Sequence, residues 1–148
     1  MTLTDEGDTA LLGAALAQAV RPGDVITLSG PLGAGKTTLA RALLRALGEE
    51  GEVPSPSFAL VQPYDALPLP VWHADLYRID DPHDLVELGL DEILDHGVLL
   101  VEWPERAPDH WPEALALSLI PGEDGVRRLT ANVPPPWEGR WPLPPFRR

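Results

Sequence analysis

One lysine serves the whole chain, and it stands at the end of a glycine-rich run. Gly30-Pro31-Leu32-Gly33-Ala34-Gly35-Lys36-Thr37 matches G-x-x-x-x-G-K-[ST], the loop whose backbone amides cradle nucleotide phosphates. The other ten basic residues are all arginine. An ammonium is a compact charge on a thin stem and can follow phosphate oxygens into a tight nest, whereas a planar guanidinium is wider. The spacing therefore predicts phosphate contacts from the amides of Gly33, Ala34 and Gly35. It also predicts Lys36 at the β- and γ-phosphates, the Thr37 hydroxyl on Mg²⁺, and Thr38 at the α-phosphate end.

A metal at such a loop needs an acid, commonly at the end of a buried strand beside it. Glu102 follows the apolar run 98–101 and is the first choice for the Mg²⁺ shell. Asp75, after residues 71–74, could complete that shell through water or orient the attacking water. Trp103 follows Glu102 directly. Its ring could stack on a nucleotide base or simply pack against the core or its rim. The guanine-reading N-K-x-D motif cannot be formed, because Lys36 is the sole lysine and Asn132 the sole asparagine. That absence favours adenine. Ser55-Pro56-Ser57-Phe58 could carry a hydroxyl that senses phosphate or metal, although its residue types alone favour an ordinary proline turn. The histidines at 73, 83, 96 and 110 have no metal-ligand spacing and read as one satisfied strand-end residue and three surface residues.

The elements around these residues suit the motif. Thr4 is positioned to cap a helix over residues 5–20 in which Leu12, Ala15, Leu16 and Ala19 recur at helical spacing. Residues 25–28 are β-prone and lead into the loop. Residues 37–47 then read as a helix stopped by Gly48. Strand, glycine loop and helix in that order are the context the motif requires. Further strands are expected at 58–61, 71–73, 98–101, 115–120 and 127–133. Residues 63–70 read as a connection. A helix is expected from Asp81-Pro82 to about Gly89, with a short turn over 90–94. Residues 134–148, with six prolines in fifteen and Trp137 and Trp141 among them, read as an extended tail.

Composition narrows the class. The 148 residues suffice for one domain with its own core. Eleven basic against 23 acidic residues give a net charge of −12, a poor endowment for general nucleic-acid or anionic-membrane binding. From residue 75 to 113 the chain carries twelve acids and two bases, read as a solvated face, with a docking surface for a basic partner as the sharper alternative. There is no cysteine, hence no thiolate metal site. No apolar run could span a bilayer and no signal peptide opens the chain, so a cytoplasmic location is expected.

Taken together, residues 30–38 (GPLGAGKTT), 53–58 (VPSPSF), 73–79 (HADLYRI), 87–89 (ELG) and 101–106 (VEWPER) resemble, in order and spacing, the TsaE family, also called YjeE. The match runs from Thr9 to about Arg106. The resemblance implies a small ATPase of bacterial threonylcarbamoyladenosine formation at position 37 of tRNAs reading ANN codons. It implies that the protein works with the TsaD–TsaB complex and meets tRNA only indirectly. It assigns Lys36, Thr37 and Thr38 to phosphate and Mg²⁺, Glu102 and Asp75 to metal and hydrolysis, and Trp103 to the adenine. Thr9 joins the nucleotide contacts and Ser57 becomes a switch residue, with serine where the family usually has threonine. Pro31 stands where an acid is common.

The expected architecture is a three-layer P-loop α/β domain over residues 1–133, with a mostly parallel sheet, antiparallel late strands and flanking helices. The tail over 134–148 follows, and a monomer is favoured. The expected cofactors are ATP and Mg²⁺. Arg78 is a candidate arginine finger or a structural ion-pair partner. The rival activities are a P-loop small-molecule kinase and a nucleotide-gated adaptor without catalysis.

Overall fold

The computed structural model describes residues 1–56, 60–81 and 83–143. The chain opens with a short strand β1 (Thr2–Leu3), helix α1 (Glu6–Ala19), strand β2 (Val25–Ser29) and helix α2 (Lys36–Leu47). Strands β3 (Val61–Tyr64) and β4 (Val71–Asp75) follow, then helix α3 (Asp84–Leu88) and a 3-10 turn at Leu90–Asp95. Strand β5 (Val98–Glu102) leads to a 3-10 turn at Pro104–Arg106, and strands β6 (Leu115–Pro121) and β7 (Arg127–Asn132) form a late hairpin.

The seven strands make one sheet in the order β1-β7-β6-β2-β5-β4-β3. The four central strands β6, β2, β5 and β4 are parallel, and β7, β1 and β3 add antiparallel edges. The expected mostly parallel sheet with antiparallel late strands is therefore present. Every residue of β5 is buried, as its unalternating Val98-Leu99-Leu100-Val101 run implies for a strand covered on both faces. Ile26, Leu28, Val98 and Leu100 face one core with α1 and α2. Val25, Leu99 and Val101 face a second core with Leu85, Leu90 and Ile93. Two cores on opposite faces of one sheet make the three layers.

On the first face α1 and α2 lie in close contact. A Cβ at Gly13 would come within 2.6 Å of the Ala42 Cβ and 2.7 Å of the Ala42 carbonyl carbon, so glycine lets the two backbones approach. The cap of α1 lies one residue later than the sequence suggests. Asp5 accepts from the Asp8 amide at 2.9 Å, while the Thr4 amide and hydroxyl both donate to the Asp8 carboxylate. A carboxylate at Asp8 can reach back over the first turn, which leaves the capping position to Asp5. Those bonds from Thr4 hold the Asp8 carboxyl below its ordinary value.

The third strand also differs from expectation. It runs over Val61–Tyr64 and includes Pro63, whereas the sequence suggests 58–61. A proline is tolerated there because β3 is an edge strand and pairs on one side only. Of the expected strand, Phe58 and Ala59 lie outside the described residues, as does Pro82 of the expected helix start. The Pro/Trp-rich segment, read from sequence as an extended tail, carries a 3-10 turn at Pro135–Trp137. Trp137 and Leu143 are fully buried in the core shared with α1 and α2. Among the described residues no helix is long and apolar enough to cross a membrane.

Candidate functional site

The parallel register sets the site. Leu28 of β2 pairs with Glu102 of β5, and Glu102 pairs with Asp75 of β4. Two carboxylates therefore end neighbouring strands beside the place where β2 gives way to the glycine loop. The loop closes on α2, whose first residue is Lys36. Gly35 precedes it with φ 100°, a left-handed conformation that suits glycine. A cavity of about 350 Å³ opens there. Gly33, Ala34, Gly35, Lys36, Thr37, Thr38, Asp75, Glu102 and Trp103 all line it. Nine of the predicted site residues thus converge from three segments of the chain.

The polar groups within it are arranged in pairs. The Thr37 hydroxyl donates to both oxygens of Glu102, each at 3.2 Å. The Glu102 Oε2 also lies 2.6 Å from His73 Nε2. His73 is 0% exposed and Glu102 2%. Asp75, also buried, accepts from the Tyr77 amide at 2.9 Å. Thr37 and Glu102 form an all-oxygen donor pair with a second carboxylate at the next strand end. That set suits a hard cation such as Mg²⁺, which takes few protein ligands and draws the rest from water and phosphate. Among the described residues there is no cluster of three His, Cys, Asp or Glu side chains arranged as a self-sufficient metal site.

Lys36 is 5% exposed. Its ammonium donates to the Gly30 carbonyl at 2.6 Å and lies 3.5 Å from the centroid of the Trp103 ring. Burial pulls its pKa below the ordinary lysine value, and the carboxylates of Glu102, Glu105 and Asp75 oppose part of that shift. Trp103 has φ 59°, which turns the chain sharply after β5 and presents the ring to the loop. The Tyr77 ring packs against it at 4.9 Å between centroids.

Two predicted residues are not among these nine. Thr9 lines a neighbouring hollow between α1 and α2 with Glu6, Arg41 and Arg45, and Thr38 borders both spaces. The buried Thr9 hydroxyl has no hydrogen-bond partner among the described residues. Ser57 lies outside the described residues, while Ser55 of the same segment lines the cavity.

The fold has counterparts among known proteins. The crystal structure of YdiB from Bacillus subtilis superposes with a TM-score of 0.74 at 32% identity, covering 88% of this chain and 82% of that one. A family model described as "Threonylcarbamoyl adenosine biosynthesis protein TsaE" matches residues 3–129. The chain belongs to the TsaE family. Among proteins named tRNA threonylcarbamoyladenosine biosynthesis protein TsaE, that of Rickettsia conorii is 41% identical over 105 residues. Its match covers 70% of this chain and 60% of the relative. The TsaE of Bacillus subtilis is 40% identical, covering 74% of this chain and 70% of its own length. That of a Nostoc strain is 36% identical, covering 85% and 80%. This chain thus spans about three-fifths of the TsaE proteins of Rickettsia conorii and Rickettsia felis, at 60% and 62%.

Within the TsaE match, the structure brings two side chains to the site that sequence reading did not assign to it. His73 was visible as the first residue of HADLYRI, but its bond to Glu102 depends on strand pairing across 29 residues. Arg127 lines the loop cavity from the start of β7. No spacing signal connects it to a loop some ninety positions earlier.

Proposed function

We propose that this TsaE-family protein is a Mg²⁺-dependent ATPase. In this reading it serves threonylcarbamoyladenosine formation at position 37 of tRNAs that read ANN codons. It acts with the TsaD–TsaB complex in the cytoplasm and meets tRNA only indirectly. The observation that carries the reading is the Thr37–Glu102 contact at 3.2 Å in the cavity that also holds the Lys36 ammonium.

The chemistry follows from what these groups can do. The amides of the loop and the start of α2 bind phosphate oxygens. Lys36 neutralises charge at the β- and γ-phosphates. Its buried setting strengthens that attraction relative to water. Thr37 and Glu102 would hold Mg²⁺, with Asp75 beside them, and the ion when bound supplies charge neutralisation at the terminal phosphates. His73 fixes the Glu102 carboxylate in the orientation that faces Thr37. Asp75 orients water for attack on the γ-phosphorus. The bond to the β–γ bridging oxygen breaks and ADP is released with inorganic phosphate. Positioning and charge stabilisation, rather than covalent chemistry, supply the rate.

Reconstitution of the tRNA modification with TsaD and TsaB tests the reading. Lys36→Ala is expected to abolish multiple-turnover modification and to weaken ATP binding on the order of a hundredfold, about 2.7 kcal/mol. Sustained multiple-turnover modification by the folded variant would contradict it. Phosphate appearing on an acceptor molecule instead of free in solution would favour a kinase.

A further inference from the structure

A second cavity, of about 290 Å³, opens on the face of the sheet opposite α1 and α2, and it shares no lining residue with the glycine-loop cavity. Its floor is formed by Thr27 and Ser29 of β2 and Ala116 of β6. The connection from β5 to β6 walls it with Glu105, Asp109 and Trp111. Strand alternation explains the floor. Ile26, Leu28, Leu115 and Leu117 enter the core shared with α1 and α2. Thr27 and Ala116, paired in register, therefore face the other way.

The charge at this cavity has one sign. Glu105 and Asp109 line it, and no lysine, arginine or histidine does. Neither carboxylate enters an ion pair or a hydrogen bond among the described residues. The floor supplies an independent signal. Thr27 is 7% exposed, and its hydroxyl has no hydrogen-bond partner among the described residues. By contrast, Ser29 Oγ lies 2.8 Å from Ser118 Oγ. A buried hydroxyl without a partner is costly, and a polar ligand atom in the cavity would satisfy it. Trp111 is held in place at the wall. Its Nε1 donates to Asp91 at 3.0 Å, and the His110 ring packs edge-on against it at 4.5 Å between centroids.

We infer that this cavity is a binding site for a small aliphatic amine. An ammonium group is held by the Glu105 and Asp109 carboxylates and by the Trp111 ring, which attracts cations to its face. The methylene stem lies against Ala116 and the indole, and the far polar end bonds the Thr27 hydroxyl at the floor. The same carboxylates repel anions, nucleotides and free carboxylic acids included. A volume near 290 Å³ lies at the low end for small-molecule sites, about 300–1,000 Å³, and limits the ligand to a short chain. The inference is independent of the ATPase reading.

Calorimetric titration of the nucleotide-free full chain with putrescine tests it, with butane-1,4-diol as the uncharged analogue of the same length. Saturable one-to-one binding of putrescine is expected, and none of the diol. Asp109→Asn and Glu105→Gln should each weaken binding on the order of tenfold. Asp109→Asn is the cleaner of the two, because Asp109 has φ 64°, which asparagine also tolerates, whereas Glu105 also acts on Lys36. Thr27→Val keeps the side-chain shape, should fold with an undiminished melting temperature, and should weaken binding about fivefold. The double variant Glu50→Gln/Glu52→Gln removes two exposed acids outside the cavity and should bind as the wild type does. Equal weakening by that double variant would reduce the effect to counterion attraction and overturn the inference. So would the absence of saturable binding, or binding of the diol as tight as that of putrescine. Wild-type affinity in Thr27→Val would leave the amine outside the cavity and overturn it as well. Tighter binding of Nα-acetyl-lysine methylamide than of putrescine would make the occupant a protein side chain and overturn the small-molecule assignment.

Discussion

Buried charge sits at both ends of the central strands, and the two ends treat it differently. At the amino end, Asp24 precedes β2. It accepts from the Arg21 amide at 2.7 Å and from both terminal nitrogens of Arg140, at 2.6 and 3.0 Å. Arg140 also donates to the Ala19 and Pro136 carbonyls and lies 3.9 Å from the Trp137 ring centroid. That arrangement is close to saturated. At the carboxyl end, Lys36, Glu102 and Asp75 surround a cavity, the lysine has one hydrogen bond, and Arg127 has none among the described residues. A saturated pair fixes structure, whereas groups aimed into a cavity retain capacity for a ligand. The carboxyl ends of parallel strands are where α/β sheets bind ligands, and the amino end is free to serve stability.

The comparison can be broken by substitution at either end. The largest stability effect is expected at the amino end. Arg140→Ala leaves Asp24 buried with one backbone partner and should lower the unfolding free energy by about 2–3 kcal/mol, read from urea denaturation. ATP affinity of the folded fraction should not change. An affinity loss as large as that of a loop variant would erase the distinction between the ends. A smaller and complementary effect is expected from His73→Leu. Removing the donor to Glu102 should raise the Mg²⁺ concentration for half-maximal phosphate release on the order of tenfold, with metal-free ATP binding unchanged. If ATP binding without Mg²⁺ weakened equally, His73 would be supporting the loop as a whole rather than orienting Glu102.

Much of the carboxyl end was legible before folding because its signals are local. The loop, its strand and its helix are continuous from Val25 to Leu47, and the helix begins within one residue of expectation. Glu102 could be chosen because the apolar run before it demands a buried strand. What stayed illegible depends on pairing between distant segments. The two-residue strand β1 has no periodicity to read and exists through its pairing with β7. His73 reaches Glu102 only because β4 lies beside β5. Arg127 needs the β6–β7 hairpin to bring it to Gly35. The tail shows the same limit from the other direction. Its proline content correctly argues against long regular elements, but composition does not report that Trp137 fills the core or that Arg140 meets a carboxylate 116 positions earlier.

Phosphate release per folded molecule, measured with Mg²⁺-ATP and the TsaD–TsaB complex for Glu102→Gln beside Arg140→Ala, tests the central claim most directly. The account predicts that Glu102→Gln folds normally, binds ATP, and loses at least on the order of a hundredfold in turnover. Arg140→Ala should melt early yet turn over ATP at the wild-type rate while folded. Wild-type turnover by folded Glu102→Gln would contradict the account.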